Sequence, residues 1–239
     1  MTNNSIDECK DFQALFEIWK NKAPRTVKGF EINHKDNVFI SDGIVNPLVW
    51  NKQKPRILFV LKEAYSDKND GDWSLTDWVA SGECLKYKIW RRIALWTYGV
   101  LHTTSQSICQ YNTQKSEEDL KYILQRIAIL NIKKSNGKSE SDNDELEAYA
   151  YEDMLEIKKE FMLIDPDLVI CGNCFRTLNN IVFGLDHDNE TNENWYYYKE
   201  LFGRKHLFLD FYHPGNHWPD LLNYYGLMGI YQQALINKN

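Results

Sequence analysis

Four short, almost wholly apolar runs constrain this chain most: Arg56–Leu61 (RILFVL), Ile127–Ile132 (IAILNI), Leu168–Cys171 (LVIC) and His206–Phe211 (HLFLDF). A strand with one wet face alternates apolar and polar residues, whereas an unbroken apolar run is buried on both faces, as in a parallel sheet. Segments of helical character separate the runs: Leu85–Tyr98, Glu117–Gln125 and Tyr149–Leu163. Met154, Ile157, Phe161 and Ile164 fall on one helical stripe, and the Asp165-Pro166 pair stops it, because proline disfavours the helical conformation of its predecessor. Strands alternating with helices predict an α/β chain, a three-layer α/β/α domain with a short central parallel four-stranded sheet.

The 239 residues suit one such domain over 1–239, with residues 1–53 as a helical and loop extension packed on it. Lys133–Glu147 (KKSNGKSESDNDELE) has no apolar period and reads as a mobile loop, and Asp186–Asn194 reads as a second surface loop. With 43% apolar and 26% charged residues the chain is neither disordered nor membrane-like. Its longest apolar runs fall far short of the roughly 18 residues that cross a bilayer. Asp7, Glu8, Lys10 and Asp11 leave no room for a signal peptide, so a cytoplasmic protein is expected. Five scattered cysteines agree with a reducing compartment and no disulfide framework. Cys171-Gly172-Asn173-Cys174 has CxxC spacing, yet its first cysteine ends a buried strand and reads as packing. A net charge of −6 argues against a bulk nucleic-acid coat but leaves room for a local basic groove.

In parallel sheets the ligand crevice lies beyond the carboxyl ends of the strands. There the sequence places Lys62-Glu63-Ala64-Tyr65-Ser66, then Asn131 with Lys133 and Lys134, then Gly172-Asn173, then His213-Pro214-Gly215-Asn216-His217-Trp218-Pro219. A carboxylate, an amide and a histidine converging on one edge make a plausible reaction centre. Each has an ordinary reading as well: a solvated loop acid, a strand-end amide that satisfies backbone, and a capping histidine. Asp42-Gly43 reads as a turn bordering the crevice, and Trp195–Tyr198 as aromatic packing on the sheet.

Taken in order, KEAYS (62–66), ILNIKK (129–134), PDLVICGN (166–173) and HPGNHWP (213–219) resemble the uracil-DNA glycosylase superfamily, nearest its branch with GEAPG, ITNVVK and HPS motifs. The resemblance implies hydrolysis of the N-glycosidic bond of uracil or another altered base, flipped out of single- or double-stranded DNA. It implies Glu63 and His213 as catalytic groups, the first orienting water or stabilising a sugar cation, the second stabilising the departing base. Asn131 would read the base edge, with Ala64 and Tyr65 beside it and Trp73 or Trp78 stacking on it. Lys62, Lys133, Lys134, Gly215, Asn216, His217 and Trp218 would contact DNA, Trp218 as the apolar wedge. No metal or cofactor is expected, because Ser135 stands where the branch's iron–sulfur cysteine falls. A monomer is implied, with no membrane partner. Lys62, Tyr65 and Gly215 depart from the family's Gly, Pro and Ser. These departures keep open a binding module that has the fold without catalysis, and a small-nucleoside hydrolase.

Overall fold

The computed structural model describes residues 4–138, 140–185 and 195–238. The loop expected at Asp186–Asn194 lies outside them. The main sheet holds β1 (Gly43–Ile44), β2 (Ile57–Leu61), β3 (Ile127–Asn131), β4 (Leu168–Gly172), β5 (Tyr196–Leu201) and β6 (Arg204–Phe211). Its order is β1-β3-β2-β4-β6-β5. The inner pairs β3–β2, β2–β4 and β4–β6 are parallel, while β1 and β5 add antiparallel edges. The sheet is therefore six-stranded and mixed, wider than the four parallel strands expected. Both edges carry weak sequence signals. β1 is two residues long, and β5 is an aromatic segment joined to β6 by Phe202-Gly203, both at positive φ (53° and 76°). That two-residue turn matches the twist of a hairpin. The Trp195–Tyr198 run is thus mostly edge strand rather than a cover for the sheet.

Helices α1 (Phe12–Lys20), α2 (Lys88–His102), α3 (Glu117–Leu124), α4 (Asn143–Glu152), α5 (Met154–Ile164) and α6 (Asp220–Ile236) complete the scaffold. Alternate residues of each inner strand enter opposite cores. Ile57, Phe59, Ile129, Ile170 and Leu209 face a cluster with residues of α2, α3 and α6. Leu58, Val60, Leu130, Val169 and Phe208 face another with residues of α1 and α5. Each fully buried Leu, Ile, Val or Phe contributes about 1.5–3 kcal/mol, which is why both faces must be apolar.

Local chemistry sets the helix ends. The side chains of Ser116 and Asp119 form a reciprocal capping box at the start of α3. Asp165, at φ 48°, closes α5 just before Pro166. Tyr149–Leu163 is two helices rather than one, divided at Asp153. The buried Asp153 carboxylate takes His34 Nε2 at 2.9 Å and Lys22 Nζ at 2.9 Å, and these tertiary contacts override the helical period. Among the described residues no helix is long and apolar enough to cross a membrane.

Candidate functional site

The site grows from the ends of the inner strands. Leu61 of β2 stands opposite Asn131 of β3. The ladder continues as Ile132 and Lys133 donate to the carbonyls of Leu61 and Lys62 at 3.1 and 3.0 Å. Glu63 therefore leaves the sheet beside Asn131. On the other side Gly172 ends β4 opposite Phe211 of β6, two residues before His213. A Cβ on Gly172 would stand 3.3 Å from His213 Cδ2 and 2.9 Å from Leu61 Cδ2. The imidazole thus lies over Gly172, where a side chain would displace it. Glu63, Asn131 and His213 share one edge of the sheet. Asn131 and Gly172 are two strand spacings apart, about 10 Å.

Asn131 is 2% exposed. Its backbone N–H donates to Asp42 Oδ2 at 2.7 Å, while its side-chain Nδ2 is buried without a partner. A buried donor left unmade costs about 1–3 kcal/mol. Glu63 is tied on one side and unpartnered on the other. Its Oε2 lies 3.0 Å from Lys133 Nζ, and its Oε1 is buried without a partner. Gly137 makes room for it, since a Cβ there would fall 2.6 Å from Glu63 Cγ.

His213 Nδ1 accepts the Gly215 N–H at 3.1 Å. In the neutral ring that bond assigns the proton to Nε2. Burial, then the nearby Lys62 charge, pushes the His213 pKa down to about 4, so the ring is neutral at pH 7. A Cβ on Gly215 would meet Nδ1 at 3.0 Å, so the lack of a side chain there gives the imidazole its room. A pH dependence follows. Between an ordinary pKa of about 6.5 and about 4 the unfolded chain takes up the proton first, so acidification destabilises the fold. Over that interval the melting temperature of the native chain should fall more steeply than that of His213→Gln; parallel curves would contradict the assignment.

Two of the three lysines expected on DNA, Lys133 and Lys134, are buried. Lys134 is 0% exposed, paired with the Asp42 carboxylate and 2.7 Å from Glu160 Oε2. Neither Glu160 oxygen meets hydrogen-bond geometry. Burial, reinforced by Asp42, holds the Glu160 carboxyl well above the usual range, which favours its neutral form. Lys133 is 4% exposed and sits between Glu63 and Glu145 at 3.0 and 2.9 Å. Burial alone would lower its pKa, but hydrogen bonds to Glu145 and Glu63 raise it. Residues 133–135 are thus interior, and Asn143 already begins α4, so KKSNGKSESDNDELE is not a mobile loop over its length. Beside this trio, Ser135 Oγ and Asp153 Oδ2 bracket His34 at 3.0 and 2.9 Å. His34, Asp153 and Glu160 carried no positional signal in the sequence, because their partners come from distant segments.

The remaining expected residues divide. Lys62 Nζ donates to Asn143 Oδ1 at 2.9 Å, and Tyr65 is 69% exposed. Ala64 packs against the α2 side of the core, and its carbonyl accepts the Gly137 N–H at 2.7 Å. Trp73 donates from Nε1 to Ser66 Oγ at 3.1 Å and meets Trp78 edge-on. Trp78 contacts Tyr87 and Trp90 in turn, so both rings are engaged in packing. Asn216 closes its own loop, donating from Nδ2 to His213 O at 2.7 Å. His217 and Trp218 are exposed, Trp218 by 59%. Cys171 and Cys174 are buried thiols, as packing requires.

One cleft of about 360 Å³ is lined by Ile18, Lys22, Arg25, Tyr151 and Glu156 among others. A groove of about 190 Å³ runs past Phe211, Tyr212, Trp218 and Leu222. Neither is lined by Glu63, Asn131 or His213. No protein-family model matches the chain, and no curated protein matches it.

Proposed function

We propose that this chain hydrolyses the N-glycosidic bond of uracil or another altered base in DNA, in the manner of the uracil-DNA glycosylase superfamily. The observation that carries the reading is the Asn131 amide, buried at a strand end with Nδ2 unpartnered. A base carbonyl arriving there would satisfy the donor and recover its desolvation cost. The four inner strands, parallel to one another, support the reading, since the family resemblance implies a parallel sheet.

The chemistry follows from the groups present. Water oxygen bonds to the sugar C1′ as the C1′–N bond breaks, the bonding pair leaves with the base, and the proton that the water loses ends on the departed base. His213, protonated at Nε2 when neutral, donates a hydrogen bond to the base oxygen that gains the charge. The Glu63 carboxylate faces the cationic sugar or orients the water. Its bond to Lys133 leaves Oε1 for that task.

Oligonucleotides carrying uracil, hypoxanthine, xanthine or a mismatch, scored for alkali-labile breaks, test the reading. We expect breaks at one or more altered bases and none in the parent strand. The Glu63–Lys133 ion pair favours one competing reading, a binding module in which the carboxylate is structural. Salt-sensitive binding without breaks at high protein concentration would select that module; neither binding nor breaks would remove both.

A further inference from the structure

Arg92, on α2, is 3% exposed, a rare place for a guanidinium unless all its donors are used. Its Nη1 donates to the carbonyls of Pro214 at 2.7 Å and Asn216 at 2.9 Å. Nη2 donates to Trp218 O at 3.2 Å, and Nε to Asp220 Oδ1 at 3.0 Å. One rigid fork therefore gathers three alternate carbonyls of the irregular loop between β6 and α6, and also the first turn of α6. Those carbonyls would otherwise need water. The loop opens with His213 and is folded back on it, since the Asn216 N–H and Nδ2 both donate to His213 O at 2.9 and 2.7 Å.

We propose that Arg92 is the positioning residue of the His213 loop, holding the imidazole over Gly172 before any ligand arrives. It touches backbone alone in this loop, so it acts through His213 and not on a substrate. Its catalytic consequence rests on the glycosylase reading, but the positioning itself does not. Lys62, after β2, is the charged group that acts on the ring; β4 presents Gly172, and the loop presents Pro214 and Gly215.

The test is an NMR titration of His213 in the full chain, with the resonance assigned by His213→Gln. In the native chain we expect a midpoint near 4. In Arg92→Gln the loosened loop admits water, and the midpoint should rise by about 1–2 pH units toward the ordinary value of about 6.5. Arg92→Lys, which keeps the charge and loses the fork, should rise part of the way. A folded Arg92→Gln protein with an unchanged midpoint overturns the proposal. Should that variant fail to fold by circular dichroism, Arg92→Lys decides by the same criterion. An oligonucleotide panel left uncut overturns the glycosylase reading alone, because the titration needs no activity.

Discussion

Alanine at Asn131 is expected to lower single-turnover base release about 10²–10³-fold, as does removal of one preorganised donor at a developing charge. His213→Ala should cost the same order, and the double variant should leave no cleavage above background. Full cleavage by the double variant would defeat the assignment. Stability separates a ligand site from a structural amide. If Asn131 were structural, its loss would break native hydrogen bonds and lower the melting temperature. Nδ2 makes none, so Asn131→Ala removes an unsatisfied donor whose burial costs about 1–3 kcal/mol. That relief works against the cavity cost, and the variant should melt close to the native chain while losing activity. Asn131→Asp sharpens the point, because a carboxylate offers no donor to a base carbonyl.

What the sequence made legible follows from how far each residue's partners lie along the chain. The inner strands were readable because burial on both faces leaves each one uniformly apolar, a local signature. Glu63, Asn131 and His213 were readable for a related reason: residues just past the ends of parallel strands must gather at one edge. The edge strands were not. Gly43–Ile44 is too short for a period, and the β5–β6 turn is Phe-Gly rather than Asn-Gly. Lys133 and Lys134 misled most, since lysines beside Ser, Asn and Gly look solvated. Their burial depends on Glu63, Asp42 and Glu160, which no local window contains. Arg92 was equally opaque, because its partners in the loop are backbone carbonyls, and these carry no sequence signal.

The buried trio supplies the largest stability effect. Lys134→Met should destabilise the fold by about 3–5 kcal/mol, since it leaves the buried Asp42 carboxylate without its cation. Asp42 also accepts the backbone N–H of Asn131 at 2.7 Å, so strain there reaches the base-reading amide. Chemical denaturation at pH 7 measures the loss directly, and a change below about 1 kcal/mol would show the pair to be dispensable. Glu160→Gln serves as the counterpart. Because burial and Asp42 favour the neutral form of Glu160, a neutral amide suits the site, and the cost should be small. The raised carboxyl has its own pH signature. Its contribution is whole below the unfolded pKa of about 4.3 and is lost as pH rises through the folded value. Glu160→Gln should therefore flatten the decline in stability toward alkaline pH. An equally steep decline in that variant would mean that Glu160 is ionised, and that Lys134 serves two carboxylates rather than one.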